Sequence, residues 1–235
     1  RVGGYDGKGV TPLKSKDDLS DAFDAPSVLE SWVEDALELA VLVSRNADGE
    51  IKSFPVVELV FNPEANLVDY LVSPARIGVE VESQARQLAE DLIAKMEMVG
   101  LLAVELFVDK TGKVLINEIA PRPHNSGHHT IEACFTSQYD QHLRSILNWP
   151  LGNTVLRTAA AMINLLGEKG FEGPAFYDGM DHAIAETGVF PHIYGKALTK
   201  PHRKMGHVTV LDNTAEDALV KAQRVKEMLK VVSKV

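Results

Sequence analysis

LLAVELFVDKTGKVLINEIAPRPHNSGHHT, residues 101–130, joins two apolar runs through a turn and continues into a loop dense in polar donors. Leu101–Val108 and Lys113–Ile119 flank Asp109, Lys110, Thr111 and Gly112, the pattern of an antiparallel hairpin. With a two-residue loop at Lys110 and Thr111, Asp109 pairs with Gly112, Glu105 with Ile116 and Ala103 with Glu118. Glu105 and Glu118 then share one face as diagonal neighbours, roughly 5 to 8 Å apart at Cβ. Two carboxylates converging from an otherwise apolar hairpin repel each other unless a cation lies between them. Magnesium suits that place, because it takes a couple of carboxylates and completes its octahedron with water and nucleotide phosphate oxygens. The competing reading is a solvent-facing sheet surface, and a three-residue loop would send the two side chains to opposite faces.

Directly downstream, Arg122, His124, Asn125, Ser126, His128 and His129 crowd into a loop stiffened by Pro121 and Pro123. Such a cluster can orient a small anion beside a phosphate undergoing transfer. Zinc is the rival occupant, but no HExxH pattern or cysteine set supports it. A helix start capped by Ser126 or Thr130 is the plainer reading, and it is compatible with function.

Upstream, Leu37–Arg45 and Ile51–Phe61 flank Asn46, Ala47, Asp48 and Gly49, predicting another hairpin of two long strands. A strand running into a connector is expected at Val28–Val33, and a short helix at Asp17–Phe23. Ala85, Leu88, Ala89, Leu92, Ile93 and Met96 recur at helical spacing between Val79 and Val99, with Gly100 as the expected C-terminal cap. A helix is expected over Thr130–Leu147, with Tyr139, Leu143, Ile146 and Leu147 on its buried side.

Beyond Pro150 and Gly152 the texture changes to short strands at Ala159–Leu165, Ala183–Glu186, His192–Tyr194 and His207–Leu211. Thr214 and Asp217 cap a last helix whose buried stripe is Leu219, Ala222, Val225, Leu229 and Val232. The expected organisation is residues 1–33 as part of a small lid unit, 34–152 as a larger unit carrying the metal and anion residues, and 153–235 as a β-rich C-terminal unit.

Gly3, Gly4, Tyr5, Asp6, Gly7, Lys8 and Gly9 form a glycine-rich loop whose backbone N–H groups and lysine suit a triphosphate, although no Lys-Ser or Lys-Thr makes it a Walker loop. Read alone, it is better explained as a flexible hairpin tip, since glycine-rich loops are common, and only the other motifs reverse that reading. Glu30 to Val33, followed by Glu38, offers an extended connector for an adenine and an acid for ribose hydroxyls, against the ordinary reading of exposed charge. Lys196, Lys200, His202, Arg203 and Lys204 concentrate positive charge in an acidic chain and suit a phosphate.

The chain has 235 residues, 45% hydrophobic and 24% charged, the balance of an ordinary globular protein. Its formal charge of −9 disfavours nucleic acid as a partner, and no apolar run approaches a bilayer span. Cys134 is the only cysteine, which excludes internal disulfides and fits a reducing cytoplasm. Arg1 leads at once into the glycine-rich loop with no preceding strand, so the chain is expected to be a fragment, inactive on its own.

GGYDGKG, RNADGEIKSFPVVE, INEIAPRPHNSGHHTIEACFTSQYDQHLRSIL and YGKALTKPHRKMGHVTV, taken in order, resemble the N5-carboxyaminoimidazole ribonucleotide synthetases. That family is also called the ATPase subunit of phosphoribosylaminoimidazole carboxylase, and the resemblance runs nearly end to end. It implies an α+β ATP-grasp fold, an antiparallel sheet with flanking helices and a small β-rich C-terminal subdomain. It also implies ATP, Mg2+ and a cytoplasmic enzyme, generally a homodimer, that carboxylates aminoimidazole ribonucleotide with bicarbonate. By motif, Gly3–Gly9 would cover the phosphates, with Tyr5 and Asp6 facing the imidazole and Asp6 accepting from the reacting amine. Glu30 and Val33 would flank the adenine, Glu38 would take the ribose, and Glu105 and Glu118 would hold the metal with Asn117 in support. Arg122, His124 and Asn125 would grip bicarbonate or carboxyphosphate, and Lys196, Arg203 and Lys204 would meet the substrate phosphate, Lys196 being counted also among the catalytic residues. Phe61 stands where many members have a histidine. The alternatives are another ATP-grasp ligase or a non-catalytic nucleotide-binding module.

Overall fold

The computed structural model describes residues 9–62 and 67–234. A 3-10 turn at Lys16–Asp21, capped by Ser15, matches the expected short helix. The strand anticipated at Val28–Val33 does not form: Val28, Leu29 and Trp32 are 82%, 87% and 73% exposed, and no strand pairs with them among the described residues. β-Branched content makes a strand only where a neighbouring backbone supplies the ladder.

β1 (Leu37–Arg45) turns through Asn46–Gly49 as expected, with the Gly49 N–H donating to Asn46 O at 3.1 Å. The single long partner strand is instead broken in two. β2 (Ile51–Ser53) pairs with the end of β1 and β3 (Val57–Asn62) with its beginning, the ladder lapsing around Pro55, which has no N–H to give. After β4 (Leu67–Ser73), α1 (Val79–Lys95) buries Ala85, Ala89 and Ile93 on the anticipated stripe. It stops short of Gly100, because Glu97 takes the left-handed φ of 50° that a glycine was expected to supply. The Glu97 N–H donates to Ala94 O and the Met98 N–H to Ile93 O, at 3.0 and 3.3 Å, closing the helix end. Gly100 opens β5 (Gly100–Val108) instead, followed by β6 (Val114–Ala120).

The helix expected over Thr130–Leu147 is two: α2 (Thr130–Ala133) and α3 (Gln138–Ile146), interrupted where Cys134 bridges to Leu156. Neither Ser126 nor Thr130 caps α2; Ser137 caps α3. The buried side of α3 is also opposite to expectation. Gln138, Gln141 and Ser145 face inward, whereas Tyr139, Leu143, Ile146 and Leu147 are 41–52% exposed. Gln138 and Gln141 are held there by hydrogen bonds to His124 and Gly152 that an apolar pattern does not reveal.

The rest of the chain forms β7 (Ala159–Leu166), β8 (Gly173–Asp178), α4 (Met180–Ala185), β9 (Val189–Ile193), β10 (Leu198–Thr199), β11 (Lys204–Asp212), α5 (Ala215–Met228) and β12 (Lys230–Ser233). Ala183–Glu186, expected as a strand, lies mostly in α4, which starts from Gly179 in the left-handed region. Thr214 caps α5 as anticipated, but the chain leaves the helix before Val232, which lies in β12 and pairs with Phe176 of β8.

Among the described residues one antiparallel sheet runs β6-β5-β1-β3-β4-β7-β11-β9, with β2 beside β1, and a second runs β10-β8-β12. The large sheet is continuous from β4 to β7, from one expected unit into the next. α1 packs on one half of it through Leu39, Val41, Leu102 and Val104, and α5 on the other half through Ile163, Val208 and Val210. Both helices cover the same face. Opposed residues share a face and i, i+2 residues alternate onto it. The pairs Glu105–Glu118, Ala40–Glu105, Glu38–Leu59, Leu59–Leu71, Leu71–Met162 and Met162–Thr209 therefore put Glu38, Glu105, Glu118, Asn164 and His207 together on the other face.

Candidate active site

Glu105 and Glu118 stand directly opposite each other across β5 and β6, by a route different from the one expected. The turn is not two residues long: the Asp109 N–H donates to Lys113 O at 3.0 Å and Gly112 takes a φ of +82°, giving a three-residue loop. Asp109 Oδ1 stiffens it by accepting from the Thr111 hydroxyl and N–H at 2.6 and 2.8 Å. That loop sets Leu106 against Ile116, and on its own would place Asn117 opposite Glu105. A β-bulge at the next step absorbs Asn117 and brings Glu118 opposite Glu105. The longer loop and the bulge compensate, so both carboxylates face the same side.

The loop after β6 lies over that face. His124 Nε2 approaches Glu105 Oε1 at 3.7 Å, so the histidine and the first carboxylate meet. Gln138 holds His124 from below, and the Asn125 side-chain amide donates to Asn164 Oδ1 at 2.9 Å. Gly127 sits so close to the sheet that a Cβ there would overlap Leu42 Cδ2 and Gln138 Oε1. Arg122 is exposed, its guanidinium donating to Pro123 O at 3.1 Å.

His128 continues the loop into a stack of rings. His128 and His207 lie 4.4 Å apart between centroids and 15° from parallel; His207 and His192 are 4.5 Å apart and 10° from parallel. Burial pushes His128 down to about 4 and His207 to about 3; the charges of His124 and His192 lower His128 further, and those of His128 and His192 lower His207. Tyr194, whose hydroxyl lies 3.0 Å from His207 Nδ1, is raised by burial to about 12. The charge of Lys204 also lowers His128, which brings the cationic segment to this side of the loop.

Within that segment the Lys196 ammonium donates to Lys204 O at 2.5 Å and lies 5.8 Å from the Tyr194 ring centre. Burial, then Arg203 and Lys204, lowers its pKa. The Arg203 guanidinium donates to Leu198 O at 2.9 Å. Glu38, at the start of β1, is half-buried, and desolvation raises its pKa. Glu30 is exposed and Val33 partly buried in the irregular connector, which is tied to the hairpin turn by Lys110 Nζ and Asp35 Oδ2 at 3.0 Å. Phe61 packs against the cluster of Ala40, Val57, Leu59, Leu71 and Met162. Of the glycine-rich loop, Gly9 is described, at a φ of +90°; Gly3, Gly4, Tyr5, Asp6, Gly7 and Lys8 lie outside the described residues.

Sequence reasoning missed Asn164, His207, His192 and Gln138 as parts of this site. Asn164 and His207 did leave a signal, each being a polar residue inside an apolar strand, and both are buried. Gln138 left none.

An ATP-grasp domain model matches residues 1–139, and a model of the phosphoribosylaminoimidazole carboxylase C-terminal domain matches residues 160–221. The N5-carboxyaminoimidazole ribonucleotide synthase of Bacillus subtilis (strain 168) is 38% identical over 219 residues, 92% of this chain and 56% of that protein. The chloroplastic phosphoribosylaminoimidazole carboxylase of Vigna aconitifolia is 40% identical over 221 residues, 89% of this chain and 39% of that protein. The crystal structure of N5-carboxyaminoimidazole ribonucleotide synthetase from Thermotoga maritima superposes with a TM-score of 0.86 at 48% identity, covering 94% of this chain and 59% of that one. An Aspergillus clavatus N5-carboxyaminoimidazole synthase in complex with ADP and 5-aminoimidazole ribonucleotide gives 0.74 at 31% identity, with coverage of 85% and 52%. The chain thus spans about half the length of the relatives it matches, 56% of the Bacillus protein and 39% of the Vigna one. The sheet with its opposed carboxylates and the match over residues 1–139 agree: the chain belongs to the ATP-grasp family.

Proposed function

We propose that the protein is an N5-carboxyaminoimidazole ribonucleotide synthetase, which joins bicarbonate to the amino group of 5-aminoimidazole ribonucleotide at the expense of ATP. A bicarbonate oxygen attacks the terminal phosphorus, the bond to ADP breaks, and carboxyphosphate forms. Its carbon, or that of carbon dioxide released from it, is taken by the amine with loss of a proton, and phosphate leaves. The observation that carries this reading is the Glu105–Glu118 pair with His124 against Glu105, on the sheet face that the donor loop covers.

The donor set fits Mg2+. Two opposed carboxylates are what that ion takes from a protein when phosphate and water fill its remaining positions, and no group of three or more His, Cys, Asp or Glu among the described residues is arranged to hold a metal ion. Glu105 and Glu118 would hold it, with Asn117 in the bulge beside them. Bound there, Mg2+ would neutralise charge on the nucleotide's terminal phosphates. Glu30, Val33 and Glu38 would seat the nucleoside, and the loop Gly3–Gly9 would cover the phosphates, with Tyr5 and Asp6 toward the imidazole. Arg122, His124 and Asn125 would orient bicarbonate and shield a short-lived anhydride from water. Lys196, Arg203 and Lys204 would take the substrate phosphate.

We assign the enzyme to the cytoplasm, where Cys134, buried with its thiol pushed up to about 12, stays reduced and unreactive, and we expect it to act as a homodimer. Among the described residues no helix is long and apolar enough to cross a membrane. Phosphate release from ATP by the full-length protein tests the reading. It should require both bicarbonate and aminoimidazole ribonucleotide, and release indifferent to both would overturn it.

A further inference from the structure

The donor loop rests on the far half of the sheet through a contact that none of the proposed roles uses. His128 leaves the loop four residues after His124, His207 rises from the middle of β11, and His192 stands opposite it on β9. Their three rings lie nearly parallel at centroid separations of 4.4 and 4.5 Å. Each ring has an outside partner: the Tyr139 hydroxyl at 3.1 Å from His128 Nδ1, the Tyr194 hydroxyl at 3.0 Å from His207 Nδ1, and Glu132 Oε1 at 2.7 Å from His192 Nε2. The first and last of those partners, Tyr139 and Glu132, belong to the helices that follow the loop. The stack therefore fastens loop and helices to β9 and β11 at a point separate from the carboxylate pair.

Resting on the function proposed above, we propose that His207 is a positioning residue for that reaction, acting through the His128 ring to fix where the loop holds His124 and Asn125 over the sheet. Stacked rings keep many atoms in van der Waals contact at once, and a shift of the loop would forfeit those contacts. Another tie to this half of the sheet is the pair of amides at Asn125 and Asn164, which exchange hydrogen bonds at 2.9 and 3.3 Å. A loop shift of about 1 Å is enough to cost a reaction that depends on orientation.

The test compares the full-length protein with His207→Ala and His207→Phe, the second keeping a flat ring between the flanking histidines. Peptide-level hydrogen exchange reads the loop directly, without any turnover. His207→Ala should speed exchange in residues 121–129 by about tenfold while leaving the hairpin of β5 and β6 unchanged, and His207→Phe should restore protection. In the bicarbonate-dependent assay, His207→Ala should lower kcat or raise the bicarbonate KM by about tenfold with the ATP KM within about twofold, with recovery in His207→Phe. If His207→Ala does not fold, His128→Ala removes the same contact from the loop side and carries the same expectation. Unchanged exchange across residues 121–129 in the folded variant overturns the proposal. Absence of bicarbonate-dependent turnover in the unsubstituted protein overturns the function instead, and leaves the exchange result to decide this point.

Discussion

The Gln138 side chain grips both backbone polar groups of His124, accepting from its N–H at 2.8 Å and donating to its carbonyl at 2.9 Å. One buried amide thereby does for His124 what a neighbouring strand does for a residue in a sheet. The same amide nitrogen lies 3.1 Å from His128 Nδ1, so a single side chain links two of the loop's histidines. The histidine thus fixed is the one that meets Glu105.

Replacing Gln138 with Leu keeps the volume and removes both bonds, leaving the His124 N–H unpaired while its carbonyl keeps only the Gly127 N–H, at 3.0 Å. The expected cost is about 1–3 kcal/mol in denaturant unfolding, together with a loss of turnover at unchanged affinity for ATP. A variant with full activity and full stability would show that the grip is incidental.

Gly127→Ala tests how tightly the loop lies on the sheet. Its Cβ would overlap the side chains of Leu42 and Gln138, the latter being the residue that holds His124. We expect about 1–3 kcal/mol of destabilisation, and a larger relative loss of activity than a substitution of similar cost on the opposite face would bring. Equal losses at matched stability would argue against a specific loop position.

Glu58 and Arg76 anchor the opposite face. Glu58, almost wholly buried, receives the Arg76 guanidinium through two bonds, at 2.9 and 2.5 Å, and the Arg76 backbone N–H at 3.3 Å. Glu58→Gln should lower stability by about 1.5–3 kcal/mol, measured by urea titration, without altering the KM of any substrate. A change in the nucleotide KM would move this pair from scaffold to site.

His128 and His129 are each pushed down to about 4 and His207 to about 3, in every case chiefly because burial disfavours the charged ring. Their ordinary value is near 6.5, so below that pH the unfolded chain takes up protons that the folded chain refuses. The stability they contribute is complete above about 6.5 and is lost as pH falls toward 4, at about 1.4 kcal/mol per pH unit for each group. Thermal melts from pH 7.5 to 5 should show this decline, and His207→Phe should make it shallower. A flat profile would mean that the rings are solvated.

The sequence carried the hairpins, α1 and α5, because apolar period and turn residues are local signals. It carried Glu105 and Glu118 as well, two acids among apolar residues, although their register was reached through an unforeseen three-residue loop and a bulge at Asn117. A bulge depends on how a partner strand is pulled, which residues 105–118 alone do not encode. The inward polar side of α3 was hidden for a related reason: Gln138 and Gln141 are held inward by partners 14 and 11 residues away along the chain, which no pattern marks. His192 and His207 lie more than sixty residues from His128, and only the order of strands in the sheet brings the three rings together.

The opposed glutamates bear most of the account, and calorimetric titration of the full-length protein with a nonhydrolysable ATP analogue, with and without Mg2+, tests them most directly. Mg2+ should tighten binding, and Glu105→Gln or Glu118→Gln should each remove about tenfold or more of that gain while leaving metal-free binding unchanged. Metal-dependent binding that survives both substitutions would contradict a shared Mg2+ site and the mechanism built on it.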